Sequence, residues 1–376
     1  MRYLSLACVI CAPAAAVMLG GQEPTYDDVG PIVERSCTPC HSPGGPAPFS
    51  LRTYDEARRR AERIGINVAS MAMPPCQIES DFGSFSSIPG LSIDEVVAIR
   101  RWATSGAAAA SEPRQAPVEP KFSWRLGLPH ATVQSGSILV PAEGGIHWLF
   151  AKVMVPRGGV IRGLQVKPSD VRTVRQATVG WSVAGVSESR TGSTTLPSSV
   201  QPIGSWAYGY FVWRTPKETG IRVPAGAELH VMLQCQAIGK PGDGSFELGL
   251  YYEDSAVEVK SLALEKAGFT IDVGEKPTYR IERVLEGDVA VTAVFPEFRF
   301  ACERVRLTAV LPTGESKSLF SGRWDVYWTG AYNFITPVDL PSGTRLVLEA
   351  LYNNGFEATH GPDVRVPIKN GTGLDD

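Results

Sequence analysis

The chain lacks several features that would place it in a familiar class. It has no strong excess of charge of either sign, because 36 Lys and Arg oppose 39 Asp and Glu for a net charge of −3, and this balance argues against nucleic-acid binding. Beyond the first 21 residues, no apolar run is long enough to span a membrane. With 43% hydrophobic residues in 376, the sequence is that of an ordinary globular protein with room for two or three domains.

Cysteine is not used in the pattern of a disulfide scaffold. Of seven cysteines, two lie in the N-terminal apolar run and two in the motif described below. The other three, Cys76, Cys235 and Cys302, are an odd number, so at least one of these thiols is free.

Residues 1–21 predict a secretory signal peptide. Arg2 precedes an apolar run that ends in Gly20-Gly21, and polar residues follow. We expect cleavage near Gly21. The alternative is a retained membrane anchor, because the run approaches the lower length limit for a spanning helix.

The most specific motif is Cys37-Thr38-Pro39-Cys40-His41. Two cysteines separated by two residues, with His directly after the second, are the attachment pattern of a c-type haem. Each thiol adds to one haem vinyl group, and this tether places the imidazole against the iron. A thioredoxin-like pair needs a preceding strand and a zinc site needs a second ligand pair, and neither is visible. We predict one haem c on Cys37 and Cys40, with His41 as axial ligand, in a periplasmic protein.

A methionine is the best candidate for the second axial ligand. A thioether opposite an imidazole raises the haem potential and suits electron transfer. Met73 precedes Pro74-Pro75, which restricts its backbone to extended geometry, so we favour it and keep Met71 as the fallback. The alternative is that either side chain only packs in a haem pocket.

The N-terminal part of the chain predicts helices. Capping boxes at Thr53 and Ser92 each begin a helix. A further helix is predicted just before Cys37. The sequence therefore predicts a small all-α cytochrome c domain over residues 23–106.

The rest of the chain predicts β-structure. Residues 107–121 are rich in Ala, Glu and Pro and predict a linker. After it come short β-prone runs separated by Gly, Pro and Asp, without helical periodicity. The predicted fold class is therefore multidomain, with the all-α cytochrome followed by tandem jelly-roll-like β-sandwiches over residues 122–256 and 257–376.

The stretch from Cys37 to Pro75 resembles bacterial proteins in which a cytochrome c is fused to a type II copper, ascorbate-dependent monooxygenase module. That module is similar to peptidylglycine α-hydroxylating monooxygenase, and the resemblance implies two β-sandwiches in tandem. Further stretches carry the resemblance in the β-prone region: Ile161–Leu164, Val223–Gly226, Gly239–Pro241, Trp324-Asp325 and Leu340–Thr344.

The resemblance also implies where copper ligands would lie, and this chain departs from the family there. Other residue types occupy the implied ligand positions: Arg175, Gln176 and Gln234 for the first of two coppers, and Glu297 and Arg299 for the second. No Met follows Met232 to provide the late thioether ligand. Copper in such sites needs imidazole and thioether donors, so we expect no copper and no monooxygenase activity. We expect the remaining histidines to be surface or satisfied core residues: His130, His147, His230 and His360.

The sequence thus predicts a periplasmic monohaem protein that transfers single electrons, with no catalytic residues. Its β-region would dock the haem on a periplasmic or membrane-bound redox partner. One alternative is a copper monooxygenase fed by its own haem. Another is a structural haem-bearing subunit of a larger membrane redox complex.

Overall fold

A computed structural model describes residues 23–75, 78, 85–86, 90–111, 124–185, 196–197, 199–207, 212–253, 257–264, 269–298, 301–324, 330–355 and 368–369. No helix within these ranges is both long and apolar enough to cross a membrane. The predicted signal peptide lies outside the described residues.

The helices lie before residue 105: α1 (Tyr26–Ser36), α2 (Tyr54–Arg58), α3 (Ala61–Ala69) and α4 (Ile93–Thr104). The capping boxes predicted at Thr53 and Ser92 are confirmed, and Thr25 caps α1 in the same way. Each side-chain oxygen accepts a hydrogen bond from a first-turn N–H, which satisfies a donor that the helix itself leaves free. The helix predicted to begin after Thr53 ends at Arg58, and Arg59 and Arg60 separate it from α3.

One apolar cluster joins these helices. Trp102 of α4 is fully buried, its ring lies 5.8 Å from that of Tyr26, and its Nε1–H donates to the Ala108 carbonyl at 3.0 Å. Val29 of α1, Val68 of α3 and Ile99 of α4 pack in the same cluster. We call the described part of residues 23–111 the N-terminal segment.

The described strands are β1 (Phe85–Ser86), β2 (Ala131–Gln134), β3 (Leu139–Val140), β4 (Ile146–Met154), β5 (Gly159–Pro168), β6 (Val174–Ser182), β7 (Gln201–Ala207), β8 (Trp213–Arg214), β9 (Thr219–Val223), β10 (Glu228–Gln236), β11 (Gly242–Asp243), β12 (Phe246–Tyr252), β13 (Val257–Glu258), β14 (Thr270–Ile271), β15 (Thr278–Val284), β16 (Val289–Val294), β17 (Cys302–Val310), β18 (Ser316–Arg323), β19 (Tyr332–Leu340), β20 (Arg345–Tyr352) and β21 (Ile368–Lys369). We call the described residues from 124 onward the β-region.

Two β-sandwiches make up the β-region. In the first, the sheet β4-β10-β6-β7 faces the sheet β13-β9-β5-β12-β2, and one core contains Leu164, Val179 and Leu233. In the second, the sheet β15-β20-β17-β18 shares a core with β19, through residues such as Phe320 and Leu340. Burial of these apolar faces holds the two layers together. The predicted β-sandwich architecture is confirmed.

The other part of the predicted fold class, a small all-α cytochrome domain, is wrong. Strands account for 42% of the described residues and helices for only 13%. The range predicted as all-α contains β1, in which Phe85 pairs with Phe334 of β19, and Ile78 forms a bridge with Gly322. The Phe85 and Phe334 rings lie 4.7 Å apart within the second core. Extended backbone between α3 and α4 therefore completes a sheet edge of the second sandwich.

Candidate haem-attachment site

The predicted attachment motif lies at the C-terminal end of α1. Cys37 caps the helix, and its N–H donates to the Val33 carbonyl at 2.9 Å. The chain then turns, and the N–H groups of Cys40 and His41 both donate to the Cys37 carbonyl, at 3.2 and 2.9 Å. Cys37 and Cys40 are thiols outside any disulfide, and both are partly buried. The structure thus places the two predicted attachment residues and the predicted axial ligand on one compact turn.

The ring of His41 is held in a defined orientation. Its Nδ1 lies 3.1 Å from the Phe49 carbonyl, and its ring lies 4.4 Å from the Phe49 ring. A carbonyl can only accept, so Nδ1 carries the proton and Nε2 keeps its lone pair. Burial, reinforced by the charge of Arg60, lowers the pKa of His41 although the bond to Phe49 opposes this. The result is a neutral imidazole with Nε2 available to a metal, as haem ligation requires.

Burial also affects the first cysteine. It raises the pKa of Cys37 to about 12, and the nearby Arg35 opposes this only in part. A redox-active dithiol of the thioredoxin type needs a thiolate, which calls for a lowered pKa. The environment of Cys37 is therefore unlike that of a thioredoxin-type dithiol.

The loop after the motif is fixed by backbone hydrogen bonds. The Ala47 N–H donates to the Cys40 carbonyl at 3.2 Å, and the Leu51 N–H donates to the His41 carbonyl at 2.9 Å. A Cβ on Gly45 would lie 2.5 Å from the Cys40 carbonyl oxygen, closer than real contacts allow. Glycine at this position lets the loop close tightly on the motif.

A cleft of about 810 Å³ opens beside this loop. The Arg60 guanidinium stacks over the Phe49 ring within it, 4.6 Å from the ring centroid. The cleft is lined by Pro48, Phe49, Ser50, Glu56, Arg59, Arg60, Glu62 and Arg63. This lining is mostly charged, unlike the apolar pockets that hold large planar ligands, so we assign no ligand to the cleft.

The first sandwich reaches the same loop. Arg175 of β6 donates from Nη1 to the Pro46 carbonyl, across 129 residues of sequence. Its Nε is buried and has no hydrogen-bond acceptor among the described residues. The guanidinium is also close enough to Cys40 for the two to interact electrostatically. Sequence reasoning missed this contact, because no local pattern marks two such distant residues as neighbours.

The predicted methionine ligands follow α3. The backbone N–H groups of Ala72 and Met73 both donate to the Asn67 carbonyl, at 2.9 and 3.1 Å, and Arg323 of β18 donates to the Ser70 carbonyl at 3.3 Å. The side chains of Met71 and Met73 are 53% and 45% exposed, and neither belongs to the apolar cluster that contains Cys37. The structure does not bring either sulfur into the core beside the motif, and the second axial ligand stays a prediction.

The positions that the resemblance implied for the first copper do lie together. Gln176 of β6 and Gln234 of β10 are cross-strand partners, and both side chains are buried. The neighbouring Cys235 is also buried, which raises its thiol pKa to about 12. Amide side chains here replace the imidazoles that copper needs.

The position implied for the second copper holds a shielded carboxyl group. Oε1 of Glu297 is buried without a hydrogen-bond partner in the described part of the chain, and burial raises the pKa of Glu297 to about 7. The adjacent Phe298 packs edge-on against Trp324, with ring centroids 5.4 Å apart. Arg299, the other residue predicted here, lies outside the described residues.

The other described imidazoles have structural partners. His130 Nδ1 accepts the Tyr252 N–H at 2.9 Å, and His147 Nε2 lies 2.7 Å from the Glu143 carbonyl. His230 is buried, with Nε2 2.8 Å from the Ser182 hydroxyl. His360 and Cys76 lie outside the described residues.

Comparison with known proteins does not assign this chain to a family. No family model and no curated protein matches the chain. Solved structures align only weakly. Examples are the STIV MCP (11% identity, 59% of this chain and 96% of that chain, TM-score 0.15), a point mutant of Bacillus subtilis oxalate decarboxylase (8%, 70% and 88%, 0.11) and a recombinant pro-11S globulin of pumpkin (10%, 62% and 84%, 0.12). Similarity at these scores carries no functional argument.

Proposed function

We propose that this chain is a periplasmic monohaem c-type protein that transfers single electrons. The observation that carries the proposal is the turn that holds Cys37, Cys40 and His41 together, with Nδ1 of His41 bonded to a backbone carbonyl. Cys37 and Cys40 would hold the haem through thioethers, and Nε2 of His41 would ligate its iron. The haem, when bound, supplies a one-electron redox centre.

The chain's own residues would hold that centre still. The Phe49 carbonyl and ring fix the orientation of His41. A ligand that keeps its orientation in both oxidation states keeps reorganisation small. We propose that Met73, with Met71 as the fallback, supplies the second axial ligand.

The β-region is proposed to dock the haem-bearing segment on a periplasmic or membrane-bound redox partner. The buried amides of Gln176 and Gln234 support this assignment over copper-dependent catalysis, because they cannot replace the imidazoles of a copper site.

The attachment is tested by producing the protein in a host that matures c-type haem. We expect haem that stays with the denatured polypeptide, with one iron per chain and no stoichiometric copper. The C37A/C40A variant should lose this haem, while C235A, which removes a buried thiol of the first sandwich, should keep it. A wild-type protein without covalent haem would disprove the proposal, and two coppers per haem would favour the monooxygenase.

The axial ligand is tested separately. M73A should lose the low-spin spectrum of a six-coordinate haem and show a sharply changed reduction potential, while M71A should resemble the wild type. An M73A protein with unchanged spectrum and potential would remove Met73 from the site.

A further inference from the structure

Arg175 is a partly buried charged residue near the proposed haem. It extends from β6, a central strand of the first sandwich, to the loop that follows His41, where Nη1 donates to the Pro46 carbonyl. It also lies close enough to Cys40 to interact with it electrostatically. A residue of the β-region therefore faces the turn that would carry the haem.

This guanidinium lacks a carboxylate partner among the described residues. Its Nε is buried with no acceptor there, and no described carboxylate contributes to its electrostatic environment. Partial burial of an unpaired cation is costly, and a buried donor without an acceptor adds to the cost. Arg172, three residues earlier, is fully paired: its Nη2 lies 2.7 Å from a carboxylate oxygen of Asp170. The unused donor of Arg175 thus requires an explanation that its neighbour does not.

We infer that Arg175 binds a propionate carboxylate of the haem attached to Cys37 and Cys40, and that it fixes the haem-bearing loop to the first sandwich. The inference rests on the proposed function. A carboxylate matches the planar donors of a guanidinium, and a charge-assisted bond of this kind offsets the burial of both ions. A haem on Cys40 would bring its own carboxylates to this loop, and none of the described carboxylates contributes to the electrostatics of Arg175.

The charge of Arg175 would also affect the reduction potential of the redox centre. A fixed positive charge near the iron stabilises the ferrous form, which carries less positive charge, and so raises the reduction potential. The effect on the reduction potential depends on the charge of residue 175 and on its distance from the iron. The hydrogen bond to the Pro46 carbonyl needs only a donor. The two roles of Arg175 can therefore be separated by substitution.

The test measures the midpoint potential of the holoprotein by spectroelectrochemical titration. R175M should shift the one-electron equilibrium toward the oxidised form by about tenfold, which corresponds to about 59 mV. R175K, which retains the charge, should stay within about threefold of the wild type. R172M is the matched control and should leave the potential unchanged, since Arg172 is exposed and paired with Asp170. R175Q repeats the uncharged substitution if R175M does not accumulate.

The outcomes distinguish this inference from the proposed function. An unchanged potential in R175M, with full haem content, would overturn the propionate contact and leave electron transfer intact. If the midpoint potential fell as much in R175K as in R175M, loop geometry would set the potential. That result would also overturn the propionate contact. Absence of covalent haem in the wild-type protein would instead disprove the proposed function itself.

Discussion

Glu56 in the N-terminal segment and Glu297 in the β-region are both partly shielded from water, yet their surroundings act on them in opposite directions. Partial burial opposes ionisation of Glu56, but the Ser50 hydroxyl and the Thr53 N–H donate to Oε2 at 2.8 and 3.0 Å, and together they lower its pKa. Oε1 of Glu297 has no such donor among the described residues, and burial raises the pKa of Glu297 to about 7.

Burial alone does not separate the two regions, because it raises the pKa of Cys37 in the N-terminal segment as it does those of Cys235 and Cys302 in the β-region. The two carboxyl groups differ because Glu56 has hydrogen-bond donors that Oε1 of Glu297 lacks among the described residues. The difference teaches that local donors, rather than burial, decide whether a shielded carboxyl group is held in its charged form.

The substitution Trp102→Ala should have the largest effect, and it tests whether the N-terminal segment and the β-region unfold separately. Removing a fully buried indole from the helical cluster should cost about 3–5 kcal/mol of local stability. We expect hydrogen exchange to show α1 and α4 opening while the β10 amides stay protected. Simultaneous loss of protection in β10 would mean that the two regions unfold as one cooperative unit.

Glu297→Gln should stabilise the protein at alkaline pH. The carboxyl group has a raised pKa in the folded state, so its contribution is complete below about pH 4.5 and is lost as the pH rises through about 7. At pH 8 the substitution should recover up to roughly 3 kcal/mol in urea unfolding.

Glu56→Gln is the matched control and should act in the opposite direction. The pKa of Glu56 is lowered, so its contribution is present above the unfolded pKa and is lost as the pH falls through the lower, folded value. Stabilisation by both substitutions at pH 8 would contradict the contrast between the two regions.

Gly45→Ala should disturb the loop that closes on the motif. The added Cβ would meet the Cys40 carbonyl oxygen at 2.5 Å, and relieving this contact should cost about 1–3 kcal/mol and reduce haem attachment. Gly287→Ala in the β-region adds a Cβ to open space and serves as the control. Thermal unfolding and haem content measure both effects, and equal results for the two variants would argue against a tight loop.

The smallest expected effect concerns His230. Burial, with Lys152 adding to it and Glu228 opposing it, lowers the pKa of His230. The unfolded chain therefore binds the proton more readily, so stability should fall as the pH drops from about 6.5 toward the folded pKa. His230→Gln should make the urea midpoint less dependent on pH across this range. An unchanged pH dependence in His230→Gln would show that other groups cause the acid sensitivity.

Local patterns predicted much of the N-terminal segment. The capping boxes at Thr53 and Ser92 begin helices where the sequence places them, and the spacing of Cys37, Cys40 and His41 confines them to one turn. Short β-prone runs separated by Gly, Pro and Asp likewise predicted the β-structure of the rest of the chain.

Contacts between distant residues could not be predicted. The pairing of Phe85 with Phe334 joins positions about 250 residues apart, and its two-residue strand has no periodicity of its own. This is why a range that reads as purely helical contributes a strand to a sheet. The bond from Arg175 to Pro46 was invisible for the same reason.

Three contacts between the two regions have a mechanical consequence. They are the bridge between Ile78 and Gly322, the pairing of β1 with β19 and the hydrogen bond from Arg323 to the Ser70 carbonyl. They anchor the stretch between α3 and α4 to the second sandwich, while Arg175 holds the loop that follows His41 to the first. A redox group carried by this segment would not swing on a tether between donor and acceptor. It would be presented at a fixed angle, and the partner would have to approach it from that side.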